Sequence, residues 1–170
     1  MPCVPGSEPP TTPPPGRRAG RVVLVDTGGA VLLLSGRDPS VDDAPEFWFV
    51  PGGGAEGAET IEEAARREVL EEVGAGLGDL GPVAWTRRVS FAFDGGWFDQ
   101  DECFYVVRTP TFIPRATALT ELERRSTTGA RWWPLAELAG TSQAVHPPRL
   151  AMLVRDWLAS GPPGQPIQID

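Results

Sequence analysis

Gly52-Gly-Gly-Ala-Glu-Gly-Ala-Glu-Thr-Ile-Glu-Glu-Ala-Ala-Arg-Arg-Glu-Val-Leu-Glu-Glu-Val-Gly74 is a glycine-rich loop that runs into a helix with both ends written in the sequence. Thr60 and Glu63 make the S/T-x-x-E pattern of a capping box, so the helix is predicted to start at Ile61. Gly74 follows Val73 and suits the left-handed position that closes a helix. No Pro or Gly interrupts the segment between them, and Ala, Arg, Glu and Leu are good helix formers.

The acidic residues of this helix stand in unusual places. Glu68, Glu71 and Glu72 are spaced i, i+3, i+4 and share one face. At ~100° per residue, Glu68 and Glu72 fall on the stripe of Ile61 and Ala65, which should face the core. Glu63, Arg66 and Arg67 point the other way. Carboxylates held together and half buried repel one another and lose hydration. A divalent cation relieves both problems, and Mg²⁺ and Mn²⁺ prefer oxygen ligands. The plainer alternative is a solvated acidic helix face, the usual fate of a charge run. The apolar stripe argues against it.

The spacing extends beyond the helix. Gly53, Glu59, Arg67-Glu68-Val69, Glu71-Glu72 and Gly74-Ala75 recur at intervals that resemble the Nudix box at every specified position. Pro51-Gly52-Gly53 resembles the usual lead-in, and Ala58 stands where many members have Gly. The resemblance spans residues 21 to about 160. It implies an α/β/α sandwich with a mixed sheet; the hydrophobic pattern by itself gives α/β or α+β. It also implies hydrolysis of a nucleoside diphosphate linked to another group, with Mg²⁺ as cofactor and Mn²⁺ as a substitute. By position in the motif, Glu68 and Glu72 are the primary metal ligands, with Glu71 beside them and the Gly52 carbonyl as a backbone ligand. Arg67 orients a glutamate, and Glu59 positions either Arg67 or a metal-bound water. Glu56 assists from the same loop or is exposed. The catalytic set implied is Glu71, Glu72 and Arg67, joined by Glu102 from outside the box. The general base is a box glutamate or an acidic residue of a later segment, with Asp99, Asp101 and Glu102 as candidates. His146, the single histidine, reads as a structural or exposed loop residue.

Substrate contacts are read from aromatic and basic residues near the box. Trp48, Trp85, Phe91, Phe93, Trp97, Phe98 and Tyr105 include candidates for stacking on a nucleobase, although aromatics at strand spacing usually belong to the core. Trp85 and Phe91 are the aromatic contacts expected, with Arg87 on a phosphate. The marks of the family's ADP-ribose and dinucleoside-polyphosphate subgroups are missing. A nucleoside triphosphate, including oxidised ones of the MutT-like type, is therefore the expected substrate. Two alternatives stand beside it: a Nudix-like nucleotide-binding module without turnover, and an ADP-ribose or nucleotide-sugar pyrophosphatase.

The 170 residues suffice for one domain with a core, and 41% apolar content suits a folded protein. A net charge of −8 argues against binding by phosphate neutralisation, so no nucleic-acid partner is expected. Two cysteines with no metal-ligand spacing argue against a disulfide scaffold as the organising device. The chain shows no membrane-span run and no signal-peptide region, and a cytoplasmic monomer or homodimer is expected. Residues 1–20 are Pro-rich and read as a disordered tail, residues 21–160 as the Nudix domain, and residues 161–170 as a loose C-terminal tail. Removal of residues 1–18 is accordingly expected to be neutral. The runs at 21–25 and 30–34 around Asp26-Thr-Gly-Gly29 read as a hairpin, and Thr120-x-x-Glu123 as a short helix start. Leu150, Leu153, Val154 and Trp157 mark a C-terminal helix.

Overall fold

A computed structural model describes residues 15–170 of the chain. It opens with β1 (Arg17–Val25), β2 (Val31–Gly36), β3 (Phe47–Phe49), β4 (Gly52–Gly54) and α1 (Ile61–Val73). There follow β5 (Trp85–Phe93), β6 (Gly96–Arg108), α2 (Glu121–Ser126), β7 (Thr127–Trp133) and α3 (Leu135–Gly140). The chain closes with β8 (Ala144–His146), α4 (Leu150–Ser160) and β9 (Ile167–Gln168).

The apolar runs of β1 and β2 are continuous because both faces of the sheet are buried. Val22, Leu24, Leu32 and Leu34 point into one core with Ile61, Ala65, Val69 and Val73 of α1. Val23, Val25, Val31 and Leu33 alternate with them and point into a second core closed by Leu138 of α3 and Leu150 and Val154 of α4. Helices thus lie on both faces of one sheet, in the α/β/α arrangement. The strands run in the order β8-β3-β2-β1-β6-β5-β9, with β4 also on β1 and β7 also on β2. The sheet is mixed: β1 with β6, β3 with β8 and β5 with β9 are parallel pairs, and the others are antiparallel.

The hairpin forms with Val25 opposite Val31. The Asp26 carboxylate closes its turn by accepting from the backbone N–H groups of Gly28 and Ala30. At its other end β1 pairs instead with β4, through Ala19, Gly20 and Arg21. The glycine-rich sequence here reads as loop, and the segment is a strand because β1 lies alongside it. Its glycines allow backbones to meet where side chains would block: a Cβ on Gly52, which has φ +138°, would lie 2.2 Å from the Gly20 carbonyl oxygen.

Both tail boundaries differ from the sequence reading. The tail reading of residues 1–14 lies outside the described residues, but Arg17 and Arg18 belong to β1 and pair with Gln100 and Asp101 of β6. Ala55 N–H also donates to the Arg18 carbonyl. The composition is polar here, yet the backbone is supplied with partners on both sides, and that outweighs the lack of apolar burial. Removing residues 1–18 is therefore expected to destabilise the fold, by roughly 1–2 kcal/mol or about 2–8 °C. Thermal melting of the truncated and full chains checks this; identical midpoints would show that the start of β1 contributes nothing. At the C-terminus, β9 pairs in parallel with β5, and Arg149 forms an ion pair with Asp170.

Candidate active site

The box helix carries its own boundaries. Glu63 N–H donates to Thr60 Oγ1 and Thr60 N–H donates back to Glu63 Oε2, and Gly74 closes the helix at φ +77°. With the ends fixed, the helical period puts Glu68 and Glu72 on the buried face beside Ala65 and Val69. Each is held from outside the helix. The Gly52 N–H of β4 donates to Glu72 Oε2 at 2.8 Å. Arg67 donates to Glu68 Oε1 at 2.9 Å and is itself gripped by both oxygens of Glu59 at 2.9 and 3.0 Å. Arg67 also reaches the Gly54 carbonyl, which ties the helix to β4. Arg67 thus bridges Glu59, Glu68 and the Gly54 carbonyl.

A third carboxylate completes the group, and it is not the one expected. One oxygen each from Glu68, Glu72 and Glu123 lie within 4.8 Å of one another. Glu71 is turned towards Arg67, 3.4 Å away, and stands outside this group. Glu123 comes from α2, where its N–H donates to Thr120 Oγ1 and its carboxylate accepts from Thr120 N–H. The Thr120-x-x-Glu123 signal was legible as a helix start; that its capping glutamate meets α1 was not.

The donor set fits a hard divalent cation. Burial pushes the Glu72 carboxyl up to about 8, and burial also raises that of Glu68 against the pull of Arg67. These groups pay for their burial as anions, and carboxylate oxygens are the donors that Mg²⁺ and Mn²⁺ select. The Gly52 carbonyl accepts from Arg21 Nη1 at 2.7 Å. A carbonyl has two lone pairs, so that bond leaves one for another partner. Close packing enforces the arrangement at Gly53, where a Cβ would lie 2.4 Å from the Glu68 carboxyl carbon. Gly53→Ala is expected to push Glu68 aside, weakening Mn²⁺ binding about tenfold at a stability loss of about 1–3 kcal/mol. Calorimetric titration with Mn²⁺ reads this; an unchanged affinity would mean that Glu68 does not hold the ion.

These carboxylates line a cleft shared with Phe47, Phe49, Phe91, Phe93, Phe98 and Phe104 and with Arg17, Arg21 and Arg87. The odd-numbered residues of β5 share one face of the sheet. Arg87, Val89, Phe91 and Phe93 present it to the cleft. Trp85, at the other end of the same face, is buried in the core that α3 and α4 close, packed against Phe104. The expectation of a substrate contact at Trp85 is corrected accordingly: the parity was right, but helices cover that end of the strand. Tyr105 likewise belongs to the core under α1, and Trp48 packs edge-on against Trp133. Phe91 stacks on Phe98 with ring centroids 5.4 Å apart and planes 13° from parallel.

Glu102 is buried and its carboxylate is fully engaged. Oε1 accepts from Arg21 Nε at 3.1 Å, and Oε2 accepts from Arg87 Nε and Nη2 at 2.9 and 2.7 Å. Burial alone would raise its pKa, but the two guanidinium charges outweigh that and hold it below the usual carboxylate range. It stands outside the three-carboxylate group, as do Asp99 and Asp101. Asp99 is bonded to Arg88 and Ser90, which lower its pKa. His146 lines the cleft beside Phe47, where burial pushes its imidazole down to about 4 and leaves it neutral at pH 7. Among the described residues, no helix is long and apolar enough to cross a membrane.

A family model described as NUDIX domain matches residues 15–155. The nucleoside triphosphatase NudI of Enterobacter sp. (strain 638) is 39% identical over 66 residues, which cover 38% of this chain and 45% of that one. NudI of Salmonella schwarzengrund is 43% identical over 67 residues, with 38% and 45% covered. The chain thus spans less than half the length of these curated relatives. Among solved structures, a MutT NUDIX hydrolase from Burkholderia pseudomallei superposes with TM-score 0.58 at 22% identity, over 82% of this chain and 97% of that one. The NUDIX domain of Shewanella oneidensis NrtR, solved with ADP ribose, gives TM-score 0.61 at 19% identity, over 85% and 90%. At such identities the likeness concerns the fold.

Proposed function

Since the chain belongs to the NUDIX domain family, we propose that it is a Mg²⁺-dependent hydrolase that cleaves the pyrophosphate linkage of a small nucleotide, with nucleoside triphosphates as the preferred class. The observation that carries this reading is the meeting of Glu68, Glu72 and Glu123 at one wall of an aromatic, arginine-bearing cleft. Those three carboxylates would hold the cation, with the Gly52 carbonyl beside them. When bound, a divalent cation there supplies Lewis acidity, neutralising phosphate oxygens and acidifying water near neutral pH. The chain's own groups do the positioning. Glu59 fixes Arg67 through a bidentate pair, and Arg67 in turn holds Glu68 through one hydrogen bond from Nη1. The Gly52 N–H aims Glu72. Phe91 and its neighbours offer flat apolar faces for a base. Arg87 lines the same cleft and would meet a phosphate oxygen there.

The NudI relatives are nucleoside triphosphatases by name, which supports the triphosphate class. The ADP ribose in the NrtR structure keeps that nucleotide as the second reading. The reaction is assigned to the cytosol and to a monomer or homodimer. The test is a product-release screen over nucleoside triphosphates, nucleotide sugars, ADP-ribose, dinucleoside polyphosphates and capped RNA, with Mg²⁺ and with Mn²⁺. Turnover that needs a divalent cation and is fastest for a triphosphate is expected. Preference for ADP-ribose would overturn the substrate class, and binding without turnover of any compound would make the chain a nucleotide-binding module.

A further inference from the structure

We propose that Arg21, Glu102 and Arg87 form an anion subsite for a phosphoryl group, in which Glu102 is a positioning residue and takes no part in the chemistry. The inference rests on the nucleotide reading above and adds where the phosphate chain lies. Arg21 comes from β1, Arg87 from β5 and Glu102 from β6, which runs between those strands. All three line the cleft. Two guanidinium cations and one carboxylate leave the triad one positive charge in excess. That excess is poorly hydrated: the Arg87 side chain is 9% exposed and that of Arg21 18%.

The hydrogen bonds show what the triad lacks. The Glu102 oxygens are saturated by Arg21, Arg87 and the more distant Gln100 amide. The donors are not. Arg87 spends Nε and Nη2 on Glu102, and Arg21 spends Nε on Glu102 and Nη1 on the Gly52 carbonyl. No hydrogen-bond acceptor among the described residues meets Arg87 Nη1 or Arg21 Nη2. Arg87, held by its Nε–Nη2 edge, keeps Nη1 for a second anion, and Arg21 keeps Nη2; phosphate oxygens match such planar donors. Arg21 also bonds the same Gly52 whose N–H holds Glu72, so the triad and the acidic group touch through one residue. The cleft therefore has two poles of opposite sign. A chain of at least two phosphoryl groups spans them, one on the cation held by the carboxylates and the next on the arginines.

The same geometry would serve as a purely structural ion pair, and the two roles differ in the sign of one response. Inorganic pyrophosphate is titrated calorimetrically into protein in EDTA, so that no divalent cation contributes. Glu102→Gln raises the net charge of the triad and is expected to tighten pyrophosphate binding about tenfold; Arg87→Gln lowers it and is expected to weaken binding by a similar factor. Melting curves report which variants are folded, and either folded variant decides against wild type. Wild-type binding itself is expected to weaken steeply with added salt. Glu102→Gln binding pyrophosphate no better than wild type, Arg87→Gln binding it equally well, or wild-type binding indifferent to salt would each overturn the subsite. Because these readings need neither Mg²⁺ nor turnover, they fail independently of the hydrolase assignment.

Discussion

Glu72→Gln is expected to lower kcat by two orders of magnitude or more while raising the melting temperature of the metal-free protein. The substitution keeps the shape and the acceptor for the Gly52 N–H, which is 2.8 Å from the carboxylate. What it removes is the charge that a cation needs. It also removes a liability, because burial raises the Glu72 carboxyl from 4.5 to about 8. The folded protein thus holds a proton between those values that the unfolded chain has released. Stability falls with pH wherever the native state binds more protons, so metal-free stability declines as pH rises through this window. Glu68 is raised in the same direction and adds to the decline. The effect of the substitution is on the order of a few kcal/mol at the upper end of the window. Melting in chelator from about pH 5 to about pH 8 should therefore show a falling wild type and a flatter variant, and saturating Mg²⁺ should favour the wild type. A kcat within about tenfold of wild type, which corresponds to ~1.4 kcal/mol, would remove Glu72 from the centre of the site. A wild-type midpoint that climbs with pH in chelator would show that the carboxylate is not buried as a lone anion.

The second large effect is expected at a residue outside the box. Glu123→Gln should weaken Mn²⁺ binding by about tenfold or more and cut turnover at limiting Mg²⁺ by roughly a hundredfold. Its carboxylate shares the 4.8 Å group with Glu68 and Glu72. The amide of the variant still accepts from Thr120 N–H, so the cap of α2 survives and folding should be intact. Glu71→Gln is the informative comparison. That carboxylate faces Arg67 instead of the group, and its replacement should disturb Mn²⁺ affinity less. Mn²⁺ titrations of both variants decide the matter. A larger loss at Glu71 than at Glu123 would mean that the cation sits nearer the outer edge of α1.

Sequence signals are legible where the physics is local. The capping box at Thr60, the closing Gly74 and the 3.6-residue period placed Glu68 and Glu72 on the buried side of α1, because backbone geometry within one helix fixes which side chains share a face. The hairpin about Asp26 followed from turn chemistry within a few residues. Signals failed where their meaning depends on a distant partner. Trp85 and Phe91 lie on one face of β5, and only the placement of α3 and α4 decides that the first is core and the second lines the cleft. β4 has no strand signal at all; three glycines pair there because β1 lies alongside. Arg17 and Arg18 read as tail and became strand for the same reason, and β9 exists because β5 offers it an edge.

Legible along the chain are the box helix, its caps and the family whose pattern they match, with Arg67 expected to orient a glutamate and Glu59 to position either Arg67 or a metal-bound water. Each is a matter of spacing along one short stretch. Only the three-dimensional arrangement shows that Glu123 meets Glu68 and Glu72 and that Glu102 pairs with Arg21 and Arg87. Glu123 lies 51 positions after Glu72 in the chain, and Glu102 lies between arginines brought by two other strands. Charges act through space, so whether a carboxylate joins a metal group or neutralises guanidinium ions depends on which strands become neighbours. No interval in the sequence encodes that choice, because sheet order is settled by the burial of both faces of β1 and β2 together.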